Sequence, residues 1–285
     1  MNSLLERGTF VLSIDNELDE GSARYSICRK VVDALLELME RFDIHATWAV
    51  LGYQFPGQSY YNYDDGNVVQ QILHCKVHQE IGSHTFSHIR VGDPNCTQER
   101  FESELLAFQA AAKVVGVNLS SFVFPWNSVG YLDSLYKYGY IAYRGPSADW
   151  FAELPASLRR LAHLLYHWFF IPVPPTVATY EQSIWNLPAS YYYVCGAGWG
   201  KMIPISLRIH KVKKGLSLAA RERGLFHLWL HPFNLVNNQH VWLKGLEIIF
   251  AEIRRYREEG LLENLTMGEL ARTLETQNKQ EVPTS

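Results

Sequence analysis

Apolar and polar positions repeat along most of the chain with two different periods. Residues 9–14, 46–51 and 225–230 are short, nearly continuous apolar runs, which are typical of strands buried on both faces. Residues 27–42 and 241–259 instead repeat apolar positions every three or four residues, which predicts helices with one buried face. Because strands and helices follow one another in this way, the pattern predicts a parallel α/β fold, either open or closed into a barrel.

Shorter elements continue the alternation between these landmarks. We predict further strands over 80–82, 122–124 and 140–143, and further helices over 66–75, 97–115 and 131–138. Thr97 stands where an N-cap of the second of these helices is needed. Thr266 and Glu269 match the two ends of a capping box, which predicts the start of a last helix.

One stretch departs from this rhythm. Residues 152–218 are rich in proline and aromatic residues, which predicts an insertion or lid rather than a second domain. We therefore expect a single domain over residues 1–276, a length that suits one large α/β core. The polar residues 277–285 predict a disordered tail.

Composition and charge argue against several classes of function. Apolar residues make up 47% of the chain and charged residues 19%, which is typical of a globular protein with a core. The formal net charge of −3 and the lack of a long basic run give no support for a nucleic-acid partner bound through its phosphates. Aromatic residues make up 13%, which suits either a packed core or a cleft that stacks on sugar rings.

The sequence shows no pattern that predicts a transmembrane segment or a secretory leader. Residues 1–9 lack a basic stretch followed by an apolar one, so we expect a cytoplasmic location. The longest apolar stretch, residues 161–173, is too short to cross a bilayer. A helix lying on a membrane surface is the alternative there, and it would give the protein a peripheral membrane contact.

Histidines four residues apart are the first candidates for chemistry, because such pairs share one face of a helix or strand. The pairs are His74/His78, His84/His88, His163/His167 and His227/His231. Spacing alone does not select one of them. His84 and His88 follow a glycine and alternate with Thr85 and Ser87, whose hydroxyls we expect to orient the two rings. His231 stands at the end of a predicted strand, which also favours a role in a site.

Two carboxylates end the first predicted strand. Alternation along a strand puts Asp15 and Glu17 on one face and Asn16 on the other. One carboxylate can then bind a divalent metal ion while the other takes a proton from water, and the nearby cation keeps that base ionised. The alternative is that acidic residues at a strand end simply face solvent.

Five segments of the chain resemble, in the same order, the motifs of the NodB-homology polysaccharide deacetylases. They are residues 12–17, 46–52, 79–88, 122–127 and 228–231. The third is the most specific, because it leads through a glycine into the pattern His-[Ser/Thr]-x-x-His, here His84 to His88. The resemblance covers residues 9–150 and 225–275, and it implies an α/β fold of the distorted (β/α)7 barrel type.

The resemblance also implies roles for single residues. Asp15 matches the catalytic Asp of the family's first motif, and His231 matches the catalytic His of its last motif. The implied metal ligands are His84, His88 and Glu17, with Asn16 as the fallback. The family's first motif is usually Asp-Asp, and branches with an Asp-x-acid pattern bind the metal through the third position, here Glu17. Such a site holds one divalent ion, with Zn²⁺ expected first and Co²⁺ or Ni²⁺ also accepted.

The third motif departs from the family pattern. Val123 occupies the position of an arginine that orients the catalytic Asp in the family, and Arg144, after the next strand, is a candidate to replace it. The substrate and oxyanion side is assigned to Pro125, Trp126 and Asn127. Backbone N–H groups around the last two are expected to stabilise a developing oxyanion. Asp149 and Trp150 stand where the fourth motif falls, as possible support for the site, and are only a two-residue match.

The implied function is metal-dependent removal of acetyl groups from N-acetylated or O-acetylated sugars of a polysaccharide or its precursor. A cytoplasmic address would favour an oligosaccharide or a lipid-linked glycan of cell-surface polysaccharide synthesis as the partner. Two alternatives stay open. Related proteins hydrolyse amides unconnected with sugars, and residues 152–218 would decide the substrate. A catalytically impaired, carbohydrate-binding homologue is supported by Val123 and Asn16, but the intact histidines argue against it.

Overall fold

The computed structural model describes residues 5–17, 25–58, 68–146, 155, 158, 172–194 and 202–281. Within these residues, ten strands form one curled and mostly parallel sheet with helices packed against it. The fold is therefore α/β with a curled half-barrel at its centre, as the alternation of elements and the resemblance both predict.

The strands are β1 Gly8–Asn16, β2 Ala46–Val50, β3 Gln79–Ser83, β4 Ser121–Val123, β5 Ala142–Arg144, β6 Thr179–Glu181, β7 Ile184–Asn186, β8 Tyr191–Tyr192, β9 Leu225–Leu230 and β10 Leu262–Leu265. The helices are α1 Tyr25–Phe42, α2 Val68–Leu73, α3 Gln98–Val114, α4 Leu132–Lys137, α5 Ile205–Glu222, α6 Pro232–Leu235, α7 Gln239–Glu258 and α8 Met267–Glu281. Short 3₁₀ turns follow β2 at Gly52–Gln54 and β4 at Pro125–Asn127.

The order of strands places their carboxyl ends at one edge of the sheet. The order is β6-β7-β5-β4-β3-β2-β1-β9-β8, and β10 pairs with the first half of β1. Every described pair is parallel except β6 with β7. Residues that end the parallel strands therefore meet at the edge where such folds hold their chemistry.

The first strand has two faces of different character. Phe10, Leu12 and Ile14 pack in an outer core with apolar residues of α1, α5 and α7. Val11 lies on the other face, in an inner core that includes residues of α8. Since side chains alternate along a strand, that inner face continues through residues 13 and 15, which are polar. The inside of the curl is therefore apolar near its base and polar at its carboxyl edge.

A buried carboxyl group links the base of the curl to α8. Glu80 accepts hydrogen bonds from the Thr47 hydroxyl at 2.7 Å, the Ser121 hydroxyl at 2.7 Å and the Gly268 N–H at 3.0 Å. A Cβ on Gly268 would lie 2.5 Å from Oε1 of Glu80, so a side chain at this position would displace the carboxyl group. The contact joins β2, β3 and β4 to the first turn of the last helix.

Most of the predicted elements are confirmed within two or three residues. The strand over 225–230 has the predicted bounds, and Thr97 caps α3 by accepting the N–H of Arg100 at 3.3 Å. The capping box of α8 is also present. The Thr266 N–H donates to Glu269 Oε2 at 2.8 Å, and the Glu269 N–H donates to Thr266 Oγ1 at 3.2 Å.

Two regions differ from expectation. The described parts of residues 152–218 contribute β6, β7, β8 and most of α5, so the sheet and the outer core extend into this segment. β6 is exposed along its length and β8 has two residues, so neither carries the apolar run that predicts a buried strand. The predicted disordered tail is wrong for residues 277–281, because α8 continues to Glu281 and a polar helix end resembles a tail in composition.

Two further expectations concern membrane contact and the support of the site by Asp149 and Trp150. No helix among the described residues is long and apolar enough to span a bilayer. Most of the segment 161–173, which we considered for a membrane-surface helix, lies outside the described residues, as do Asp149 and Trp150.

Candidate active site

Six of the residues singled out in the sequence meet at the carboxyl edge of the sheet. They are Asp15 and Glu17 at the end of β1, His84 and His88 after β3, Arg144 at the end of β5, and His231 after β9. Parallel strands bring them together although as many as 216 positions separate them along the chain (231 − 15).

Three atoms that can bind a metal ion converge at the centre of this group. Glu17 Oε1 lies 3.1 Å from His84 Nε2 and 3.1 Å from His88 Nε2. His84 is fully buried, and its Nδ1 lies 2.8 Å from the carbonyl oxygen of Val123. Because a carbonyl only accepts, Nδ1 carries a hydrogen and donates it to the backbone. Nε2 therefore remains as the ring atom that faces Glu17.

The donor set and spacing fit a divalent metal ion. Ligand bonds of about 2.0–2.1 Å in a tetrahedral zinc site put neighbouring ligand atoms about 3.3 Å apart, close to the spacing found around Glu17 Oε1. Glu17, His84 and His88 form one candidate metal group among the described residues, and Asp15, Glu17 and His231 form another that shares Glu17. Burial would raise the pKa of Glu17, but hydrogen bonds from the surrounding histidines hold it well below its usual range.

Asn16, the fallback ligand, faces away from this cluster. Its register partner on β2 is Val50, whereas the partner of Asp15 is Ala49. Val50 belongs to the outer core and Ala49 to the inner one. Because parallel partners share a face, the side chain of Asn16 lies on the outer face of the sheet. This placement favours Glu17 as the third ligand.

The loop between His84 and His88 is held by its hydroxyl side chains. Ser87 binds Glu104 of α3 through its N–H at 2.7 Å and its hydroxyl at 2.6 Å. The Thr85 hydroxyl accepts the N–H of Ile89 at 3.2 Å. We expected these hydroxyls to orient the imidazoles, and that expectation is wrong, because both bind backbone or α3. They stabilise a loop in which Thr85 and His88 adopt positive φ angles of 63° and 61°.

Arg144 forms a bidentate salt bridge with Asp15 through both terminal nitrogens of its guanidinium group. Nη1 lies 2.6 Å from Oδ1 and Nη2 lies 2.7 Å from Oδ2, and both side chains are buried. Val123 and Arg144 are register partners on β4 and β5, so the arginine comes from the same level of the sheet, one strand further along. Burial would raise the pKa of Asp15, but Arg144 outweighs this effect and lowers it, which keeps the carboxylate ionised.

A second layer of buried polar groups supports Arg144. Its Nη1 donates to the Ser13 hydroxyl at 3.0 Å, and Ser13 lies 2.9 Å from His227 Nε2. His227 Nδ1 lies 3.0 Å from the carbonyl oxygen of Leu187. Burial and the nearby Arg144 charge lower the pKa of His227 to about 3, so the ring is neutral. No sequence pattern predicts this role, because a histidine early in an apolar strand is typical of a packed core.

His231 lies beside both carboxylates. Its Nε2 is 3.7 Å from Asp15 Oδ2 and 3.4 Å from Glu17 Oε1. On the far side, Nδ1 is 2.9 Å from the Tyr192 hydroxyl, and Asn234 Nδ2 donates to the same hydroxyl at 2.6 Å. Tyr192 belongs to β8, inside the segment that the composition predicted as an insertion. No spacing in the sequence linked it to His231.

The turn after β4 borders the cluster. Trp126 is 59% exposed, and its ring centroid lies 4.2 Å from that of His88, so it can contact a bound substrate. The Asn127 N–H donates to the Phe124 carbonyl at 2.9 Å, so the expectation that this N–H stabilises an oxyanion is wrong. The Asn127 side chain instead accepts from Arg144 Nη2 at 3.3 Å. Pro125 is buried and begins the turn.

Comparison with known proteins gives a family match and several similar folds. A family model described as polysaccharide deacetylase matches residues 9–138. No curated protein sequence matches the chain significantly. The crystal structure of a candidate polysaccharide deacetylase from Mycobacterium smegmatis is similar over 95% of this chain and 91% of its own, with a TM-score of 0.69 and 15% identity.

Two other solved structures share the fold and differ in what their names state. PuuE allantoinase has a TM-score of 0.62 and 12% identity, over 94% of this chain and 89% of its own. A CE4 family pseudoenzyme from Bacillus anthracis has a TM-score of 0.52 and 11% identity, over 93% of this chain and 66% of its own. At such identities the similarity shows the fold alone.

Proposed function

We propose that this chain is a metal-dependent hydrolase that removes acetyl groups from sugars, because its residues 9–138 match a family model described as polysaccharide deacetylase. Its substrates would be N-acetylated or O-acetylated sugars of a polysaccharide or its oligosaccharide or lipid-linked precursor. The observation that carries the proposal is the convergence of Glu17, His84 and His88, in which Oε1 of the carboxylate lies 3.1 Å from Nε2 of each ring. Zn²⁺ is the ion we expect first, since two imidazoles and a carboxylate form a typical zinc ligand set.

The chain's own residues suit the two proton transfers of amide hydrolysis. A divalent ion held by Glu17, His84 and His88 would supply Lewis acidity and make water nucleophilic near neutral pH. Asp15, kept ionised and oriented by Arg144, would take the proton of the attacking water at a carboxylate oxygen. His231, whose Nε2 faces the same space, would donate a proton to the leaving nitrogen. An amine leaves poorly as an anion, so a donor is needed there.

Two alternatives share the scaffold, and the site weighs against one of them. The non-catalytic interpretation rests on Val123 and Asn16. Arg144, the register partner of Val123 on the neighbouring strand, forms an ion pair with Asp15. Glu17 supplies a carboxylate beside the two histidines in place of Asn16. Both departures from the family pattern are thus compensated by neighbours, which supports catalysis. Hydrolysis of a non-sugar amide requires the same chemistry, and only substrates can separate it from deacetylation.

Acetate release from a panel of N-acetylated and O-acetylated sugars, with and without a chelator, tests the proposal. We expect release that the chelator abolishes and that His84→Ala lowers by about a hundredfold or more, because that variant loses a ligand. His74→Ala is the matched control, since His74 is exposed and its Nδ1 lies 2.6 Å from the Gln70 carbonyl oxygen of the preceding helix. Full metal occupancy in His84→Ala would contradict the ligand assignment. Turnover of cyclic or linear non-sugar amides alone would favour the second enzyme function.

A further inference from the structure

The outer nitrogen of His231 is held by a hydroxyl group. The Tyr192 hydroxyl lies 2.9 Å from His231 Nδ1, the nitrogen that points away from Asp15 and Glu17. Tyr192 ends β8, which pairs with β9 in parallel, so the tyrosine and the histidine leave neighbouring strands at the same edge. The contact therefore depends on strand pairing rather than on a flexible loop.

Asn234 fixes the position of that hydroxyl. Its Nδ2 donates to the Val194 carbonyl at 3.2 Å and to the Tyr192 hydroxyl at 2.6 Å. Because a carbonyl only accepts, the first bond determines which end of the amide is nitrogen, and both of its hydrogens are then used. The Tyr192 oxygen is thus an acceptor for Asn234, and its position is set from both β8 and α6.

Aromatic contacts restrict the rings as well. The Tyr192 ring stacks on Trp229 with centroids 4.1 Å apart and an interplanar angle of 18°. The His231 ring meets the edge of Tyr192 at 5.5 Å and lies 4.8 Å from Phe233. With its faces packed and Nδ1 bound, the imidazole has one accessible polar atom, Nε2, and this atom faces the carboxylates.

We propose that Tyr192, held by Asn234, is a positioning residue that directs Nε2 of His231 toward the leaving group. The Tyr192 oxygen can accept from Nδ1–H, and this hydrogen stays on the ring when Nε2 gives up its proton, so the contact can persist through the transfer. The inference rests on the proposed function and makes it more specific. N-acetyl amides, whose amine needs a proton to leave, would depend on Tyr192, whereas activated esters would not.

Tyr192→Phe tests this most directly, because it removes only the hydroxyl and keeps the ring on Trp229. The metal-reconstituted protein would be assayed on triacetylchitotriose, an N-acetyl amide, and on p-nitrophenyl acetate, whose leaving group needs no acid. We expect kcat on the amide to fall about 10- to 100-fold with KM changed less than about twofold, and the chelator-sensitive rate on the ester to change less than about threefold. Tyr193→Phe is the matched control, since its hydroxyl binds the Trp242 carbonyl instead.

Asn234→Ala provides a second variant that acts through the same contact. It should lower the amide rate in the same selective way, and the double variant should be no slower than Tyr192→Phe alone, because the two residues work as a unit. Equal losses on amide and ester, or a wild-type amide rate in Tyr192→Phe, would overturn the inference. A wild-type protein without activity on any N-acetyl sugar would overturn the proposed function first, so the two failures are distinguishable.

Discussion

At the scale of single residues, the site depends on a polar group that is buried without a charge. His227 is fully buried, with Nδ1 donating to the Leu187 carbonyl and Nε2 accepting from the Ser13 hydroxyl. Both hydrogen bonds require the neutral ring, in which Nδ1 carries the hydrogen and Nε2 carries the lone pair. A second ring proton would remove the acceptor that holds Ser13, and Ser13 in turn supports Arg144.

This arrangement predicts a dependence of stability on pH. The folded pKa of His227, about 3, lies below the value of about 6.5 expected in the unfolded chain. The unfolded chain therefore binds the proton first as the pH falls. The stabilisation is fully present above about pH 6.5, and it declines below that value by about 1.4 kcal/mol per pH unit until the folded pKa is reached.

Urea unfolding of the metal-free wild-type protein and of metal-free His227→Gln between pH 5 and 7 would measure this pH-dependent stabilisation. The wild-type free energy of unfolding, compared with that of His227→Gln, should fall by about 2 kcal/mol between pH 6.5 and 5. All other titrating groups are common to the two proteins, so their effects cancel. Nitrogen NMR of the imidazole should show the neutral Nδ1–H form at pH 5. Parallel pH curves for the two proteins would show that the ring is not held neutral.

At the scale of elements, the site uses the register between neighbouring strands. Val123 and Arg144 are paired across β4 and β5, and their side chains share the inner face. Val123, where the family pattern has an arginine, and Arg144, which supplies one here, are thus adjacent in space, although 21 residues separate them in sequence (144 − 123).

An exchange of the two side chains tests this relation. Arg144→Val should lower kcat by about a hundredfold, because Asp15 loses both hydrogen bonds to its carboxylate. Adding Val123→Arg to that variant should recover about tenfold, since an arginine there starts from the same level of the sheet. Steady-state kinetics on an N-acetyl sugar, with circular dichroism to confirm folding, would check it. A folded double variant no faster than Arg144→Val would contradict a shared role of the two positions.

The elements differ in how much of them the sequence could predict. The continuous apolar run of β9 and the helical period of α7 predict both elements closely. The strands β6, β7 and β8 have three residues or fewer each and were missed. Their places are determined by pairing with β5 and β9, and such long-range contacts leave no periodic signal in the strand itself.

At the scale of the whole molecule, the carboxyl edge of the curled sheet and its base differ in the kind of polar residues that they hold. The carboxyl edge gathers the candidate catalytic residues, and the base is closed by the contact of Glu80 with Thr47, Ser121 and Gly268. Polar groups at the base have their partners inside the protein, whereas those at the edge converge on a shared space. We therefore expect changes at the base to affect stability and to spare catalysis.

Glu80→Ala tests this separation. It leaves three buried donors without their acceptor, so the free energy of unfolding should fall by about 3 kcal/mol. The folded protein should keep kcat/KM within about twofold of the wild type. Glu258→Ala is the matched control, because this glutamate is exposed and pairs with Arg254 on the helix surface. It should change stability by no more than about 0.5 kcal/mol. A large loss of kcat/KM in a folded Glu80→Ala protein would show that the ends are coupled.

The candidate site could be predicted from the sequence only as far as its motifs reach. Asp15, His84, His88 and His231 stand in recognisable patterns, and the structure brings them together. Tyr192, Ser13 and His227 are recognisable only once β8, β1 and β9 lie side by side. Each contacts a side chain that another strand positions, and a linear pattern carries no trace of that contact.

The central place of β1 has a consequence for how the chain folds. This strand pairs with β9 and β10, and the side chains of Thr9 and Glu263 bond across 254 positions of sequence. Closing such long loops costs entropy before their contacts form, so a high contact order slows folding. During synthesis, β1 cannot gain these two neighbours until almost the whole described chain has left the ribosome. Asp15 and His231 therefore first meet late, after the paired histidines and their loop have already been made.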